Sequence, residues 1–134
     1  MKNRLFIGPL SLSLLLAACF RNGASTNIDL TISDFHFTPD TITVPAGQEI
    51  TLNVNNEGFI SHQFAIFRLG TSPGEKFDAS DKENIYWMFE VLPGRTGKAV
   101  FTAPAEPGEY YFACGIFGHL EAGMIGKLIV VKDQ

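Results

Sequence analysis

The sequence predicts an all-β sandwich of about 7–8 short strands, and three observations carry that prediction. Apolar residues recur with a period of two, turn signals are dense, and the composition favours strands and turns. Twelve Phe, thirteen Gly and seven Pro occur in 134 residues, of which 46% are apolar. That length provides one domain able to bury its own core.

The alternation begins at Ile28. Ile28, Leu30 and Ile32 interleave with Asp29, Thr31 and Ser33, and Ile50, Leu52 and Val54 interleave with Thr51, Asn53 and Asn55. Each set places its apolar residues on one face of a strand. Pro39-Asp40 and Pro45-Ala46-Gly47 punctuate the space between them. Further strands are expected over His62 to Phe67, Lys98 to Thr102, Glu109 to Cys114 and Lys127 to Val131, separated by Ala103-Pro104, Pro107-Gly108 and other glycines. The segment 68–93 is long for a connection. Within it, Ser80-Asp81-Lys82-Glu83 resembles a capping box that would start a short helix, while Ile85 to Phe89 has strand propensity.

The N-terminus reads as a targeting segment. Lys2 and Arg4 precede a mainly apolar stretch, Leu5 to Ala18, which is too short to span a bilayer comfortably. It ends in Leu16-Ala17-Ala18-Cys19, similar to the lipobox of bacterial lipoproteins, in which the Cys is lipidated and becomes the first residue. An ordinary signal peptide with a chance Cys, or an uncleaved anchor, are the alternatives; the spacing and the small-residue run favour lipidation. The expected organisation is a signal peptide over 1–18, a lipidated tether over 19–27 and the folded domain over 28–134. Such a protein would be exported and anchored to a bacterial membrane, facing periplasm or cell exterior. The tether from Phe20 to Asn27 reaches roughly 25–30 Å when extended.

Cleavage before Cys19 would leave eight Lys and Arg against fourteen Asp and Glu, a formal charge of −6. That sign excludes ordinary nucleic-acid binding. It also removes a basic patch as the means of membrane attachment, so acyl chains would have to supply it. With Cys19 assigned to lipid, Cys114 has no disulfide partner, and a lone thiol outside the cytoplasm needs something to hold it.

Strand phase suggests what holds it. Cys114 shares a face with Phe112 and Tyr110, and His62 shares a face with Phe64 and Ile66, so both point toward the core from strand ends. Cys114, His119 and Met124 follow one another with four residues between each pair. Two imidazoles, a thiolate and a thioether form the donor set of a type 1 copper site. Thiolate and thioether suit Cu(I), whereas imidazole serves both oxidation states. A binuclear site would need a second cysteine, and structural zinc makes poor use of Met. Each residue alone has an ordinary structural explanation; spacing and phase together favour one copper ion. His36 has no comparable partners and is expected to be structural.

These residues carry a resemblance. Glu106-Pro107-Gly108-Glu109-Tyr110-Tyr111-Phe112-Ala113-Cys114, then Gly118-His119 and Gly123-Met124-Ile125-Gly126, resemble the cupredoxin family of plastocyanin and azurin. Phe37-Thr38-Pro39, Val44-Pro45-Ala46-Gly47 and Asn55-Asn56-Glu57-Gly58 are similar to that family's first half. The loop spacing is most similar to auracyanin and rusticyanin. The resemblance implies a Greek-key sandwich with His62, Cys114 and His119 as equatorial ligands and Met124 as the axial ligand. Gln63 and Phe117 depart from the family's usual Asn and Pro, which bears on loop rigidity and potential.

The expected function is transfer of single electrons between redox partners outside the cytoplasmic membrane, either a redox protein or a membrane-bound electron-transfer complex. Catalysis is not expected, because a second copper would need further histidines and only His36 is left. A copper carrier or store is the alternative, though the mature chain lacks the Met-rich clusters such proteins use. Ile116, Phe117 and Leu120 beside His119 form the candidate docking patch.

Overall fold

The structure, a computed structural model, describes residues 23–132. The signal-peptide assignment, Cys19 and the first part of the tether lie outside the described residues. Among the described residues no helix is long and apolar enough to cross a membrane.

Among the described residues nine strands form two packed sheets, joined by loops that include one short helix. In chain order they are β1 (Asn27–Ser33), β2 (His36–Thr38), β3 (Thr41–Pro45), β4 (Glu49–Asn56), β5 (His62–Phe67), α1 (Ala79–Glu83), β6 (Ile85–Val91), β7 (Thr96–Thr102), β8 (Gly108–Ala113) and β9 (Ile125–Val131). One sheet runs β2-β1-β4-β7 and the other β3-β9-β8-β5-β6. β1 lies parallel to β4 with Ile28 opposite Leu52 and Leu30 opposite Val54, so the two alternating sets present one apolar face. β3 is likewise parallel to β9. The strand count exceeds expectation because β2 has only three residues and because the strand-prone part of the insertion forms β6.

β6 alternates, with Trp87 and Phe89 against the core and Tyr86 and Met88 outward. Trp87 stacks on Phe101 with ring centroids 4.8 Å apart, which ties this edge strand to the opposite sheet. The helix starts two residues earlier than its sequence suggests. Asp78 is the N-cap, accepting from Ser80 N at 2.8 Å, while Asp81 returns the bond by accepting from Asp78 N at 3.0 Å. Asp81 also accepts from Gly74 N, so one buried carboxylate organises the insertion.

That insertion covers the outer face of the second sheet. Phe67 and Ala113 are buried there with Leu120, against Phe77, Ile85 and Tyr111. This explains why β5 is buried on both faces and shows little alternation. Between the sheets, Phe37, Phe64 and Phe112 meet with centroids 4.5–5.8 Å apart. Cys114 and Met124 belong to this same core, so the site rests on a packed aromatic floor.

Candidate metal centre

Cys114 follows the last residue of β8 and His62 opens β5, two antiparallel neighbours in the second sheet. The loop from Cys114 to Met124 closes on itself. Cys114 N donates to Met124 O at 3.1 Å, Met124 N to His119 O at 3.0 Å and His119 N to Ile116 O at 3.1 Å. Gly118 and Gly123 take φ of +84° and +91°, which suits residues without a Cβ and allows these tight turns.

The chain thereby brings His62, Cys114 and His119 together, with their ligand atoms all within 4.8 Å of one another and all three residues buried. Cys114 Sγ lies 3.3 Å from His119 Nδ1 and 3.9 Å from His62 Nδ1. Gln63 N donates to Sγ at 3.3 Å, the backbone bond that fixes the sulfur from β5. Met124 is fully buried beside Cys114 through their backbone hydrogen bond. His36 stands exposed on β2 and is not part of the cluster or the core.

In the metal-free protein burial pushes the Cys114 thiol above its usual range, against hydrogen bonds from the Gln63 and Ile116 backbones that pull it down. Burial, then the neighbouring His62, holds His119 below the ordinary imidazole range. A neutral imidazole is ready to ligate, whereas the thiol must shed its proton when metal enters, so loading releases protons.

The donors fit one copper ion: two Nδ1 atoms and one sulfur converge in a buried space, and a second cysteine for a binuclear centre is not among the described residues. Copper would supply a one-electron couple; the chain supplies fixed ligands and excludes water. The resemblance implies Met124 as a further ligand; fully buried next to Cys114, its thioether would be the weak donor to the metal. Met124→Leu is expected to raise the reduction potential by removing a donor, and Met124→Gln to lower it through a harder oxygen, with copper retained in both. Titration against redox dyes checks this; an unmoved potential in both variants would remove Met124 from the coordination sphere.

The docking patch needs correction. Leu120 packs inward with Phe67 and Ala113, and Ile116 is half-buried against the core. Phe117 alone of the three projects, at 91% exposure. His119 is only 3% exposed, and Phe35 lies edge-on against it with centroids 5.1 Å apart. Phe35 and Phe59, the latter 90% exposed, are apolar neighbours of the site that spacing did not reveal. Their segments lie far from the ligand loop in sequence. Spacing likewise gives no sign that the Asp34 and Asn56 side chains accept backbone N–H groups of the loop before His62. Gln63 donates its side chain to Glu90 at 3.1 Å, tying β5 to β6.

Fold and site together define a mononuclear copper protein with a cysteine ligand. The family model described as a cupredoxin-like domain matches residues 7–130, and the chain belongs to that family. It is 34% identical to the copper-resistant cuproprotein CopI of Rubrivivax gelatinosus, over 80% of this chain and 67% of that protein. It is 35% identical to rusticyanin of Acidithiobacillus ferridurans over 67% of this chain, and spans about half that relative's length (49%). Reduced auracyanin from the photosynthetic bacterium Roseiflexus castenholzii has a similar structure, with TM-score 0.67 and 30% identity, covering 81% of this chain and 99% of that one.

Proposed function

We propose that this protein shuttles single electrons through its copper ion and is not an enzyme. The observation that carries the reading is the closed site. Two imidazoles and the thiolate come from a strand end and a self-bonded loop, and His119 is the most exposed of them at 3%. Ligands held this way cannot move far when copper changes oxidation state, which keeps reorganisation small. They also leave little room for a substrate. An intensely coloured oxidised protein that cycles reversibly on an electrode supports transfer. Colourless copper that passes readily to a chelator supports the second reading, a copper carrier or store, which the likeness to a protein named for copper resistance keeps in view.

Electrons would pass at the His119 end, to a redox protein or a membrane-bound electron-transfer complex. Phe117, Phe59 and the half-covered Phe35 give that end an apolar surface. Such a surface suits a small transient interface, and the acidic remainder adds steering that salt would weaken. Phe117→Glu is expected to slow the second-order rate with the physiological partner about tenfold or more, roughly the effect of losing a 1.4 kcal/mol contact. The visible spectrum should stay unchanged, because Phe117 points to solvent. A normal rate would move the port elsewhere.

Export and lipidation at Cys19, facing periplasm or cell exterior, complete the proposal. The lipobox-like Leu16-Ala17-Ala18-Cys19 supports it. Membrane release of a Cys19→Ser protein, with loss of fatty-acid labelling, is the check; a variant that stays membrane-bound would refute the anchor.

A further inference from the structure

Two adjacent residues in the β1–β2 turn reach both histidines. Asp34 Oδ1 lies 3.3 Å from His62 Nε2, the ring nitrogen opposite the one that faces Cys114. Phe35 lies edge-on to His119 at an interplanar angle of 73°. Successive residues of a regular strand point to opposite faces. Here Phe35 takes φ +67°, a left-handed conformation unusual for a bulky side chain, and that kink lets both residues meet the site.

The Asp34 oxygen is held on more than one side. The same Oδ1 accepts the Phe59 N–H at 3.1 Å. The 57–61 loop that carries this donor is itself fastened, because Asn56 Oδ1 accepts from Gly58 N at 2.9 Å while its Nδ2 donates to Ile60 O, Val91 O and Leu92 O. Gly58 leaves the necessary space. A Cβ there would lie 2.8 Å from His62 Nε2 and would crowd Asp34 Oδ1. The approach of carboxylate to imidazole is therefore built by two segments: the turn, and the Asn56-fastened loop with its side-chain-free Gly58.

We propose that Asp34 is a positioning residue for the metal centre, holding His62 as the Nε2-protonated tautomer with Nδ1 free for copper and lowering the reduction potential. An acceptor at Nε2 keeps the proton there and leaves the Nδ1 lone pair aimed at the metal. The hydrogen bond makes the ring a stronger donor, and the nearby negative charge favours the more positive Cu(II) state. Both effects act in the same direction. This inference rests on the copper reading for its redox half and stands independently of it for the tautomer.

The test uses Asp34→Ala and Asp34→Asn with two measurements. Nitrogen chemical shifts of His62 in the metal-free protein, at a pH where the ring is neutral, should show a single Nε2–H tautomer in the parent. Asp34→Asn should keep it, since the amide oxygen still accepts, and Asp34→Ala should mix the tautomers. In the copper-loaded proteins, Asp34→Ala should weaken Cu(II) relative to Cu(I) about tenfold, which is a rise of about 59 mV for one electron. Asp34→Asn should rise by less. If Asp34→Ala does not fold, the near-isosteric Asn variant decides the potential alone. An Nδ1–H tautomer in the parent, or a potential unmoved in the variants that fold, would overturn the proposal. Failure of the copper reading would show separately, as a parent protein without the intense visible band.

Discussion

Cys114→Ser is expected to give a folded protein with no intense visible absorbance. The colour of such a site arises from charge transfer between a thiolate and copper, and Cys114 is the free cysteine among the described residues. Ser is close in size, and its hydroxyl oxygen can still accept the Gln63 N–H that now reaches Sγ. The aromatic floor of Phe37, Phe64 and Phe112 is untouched, so stability should fall by only about 1 kcal/mol. The alcohol does not ionise as the thiol does and is a poor ligand for Cu(I), so affinity should fall along with colour. Absorbance of the copper-loaded variant, with circular dichroism to confirm folding, makes the comparison. A surviving intense band would mean that sulfur from Cys114 does not bind the metal.

Gly126→Ala should be the most damaging single methyl in the domain. Gly126 lies on β9, which is hydrogen-bonded between β3 and β8, and pairs with Phe112. An added Cβ would sit 2.5 Å from the Asp40 carbonyl oxygen and would overlap the Phe112 ring edge. Neither neighbour can yield cheaply. Asp40 O accepts the Lys127 N–H at 2.8 Å, and Phe112 is fully buried against Phe37 and Phe64. Overpacking of this kind costs about 3 kcal/mol or more. For a domain of this size that corresponds to a fall in Tm of roughly 10–15 °C. Because Met124 lies two residues away, the site should also become less uniform, broadening the redox transition. A Tm within about 2 °C of the parent would show that β9 can shift without resistance.

Much of this architecture can be read before the fold is known, for identifiable reasons. β1 and β4 each bury one face, so their alternation survives in the sequence. The three residues Cys114, His119 and Met124 lie on one short loop, where spacing itself is a signal. Direction within a loop leaves no such trace. Leu120 is as apolar as Phe117, yet one packs under the insertion and the other meets solvent. The difference depends on turns at Gly118 and Gly123 and on a cover provided by Phe77, about forty residues away. Asp34 is hidden more deeply, because its partner His62 is 28 positions along and the geometry depends on a left-handed Phe. The helix cap was displaced because Asp78 and Ser80 are both good capping residues, and only the reciprocal bond with Asp81 decides between them.

The direction of β1 has a mechanical consequence. The strand enters the sheet at Asn27 and delivers the chain to Asp34 beside the copper ligands, a run of about 20 Å. Were the molecule held through the proposed Cys19 anchor, β1 would lead from the side of attachment toward the copper ligands. A pull through such an anchor would act along the strand axis, in the plane of the paired β1 and β4. Their register from Asn27 opposite Thr51 to Ile32 opposite Asn56 spreads such a load over the ladder in shear, so its bonds do not open one at a time. Drag on the body would then meet resistance before it reached the turn that touches His62 and His119.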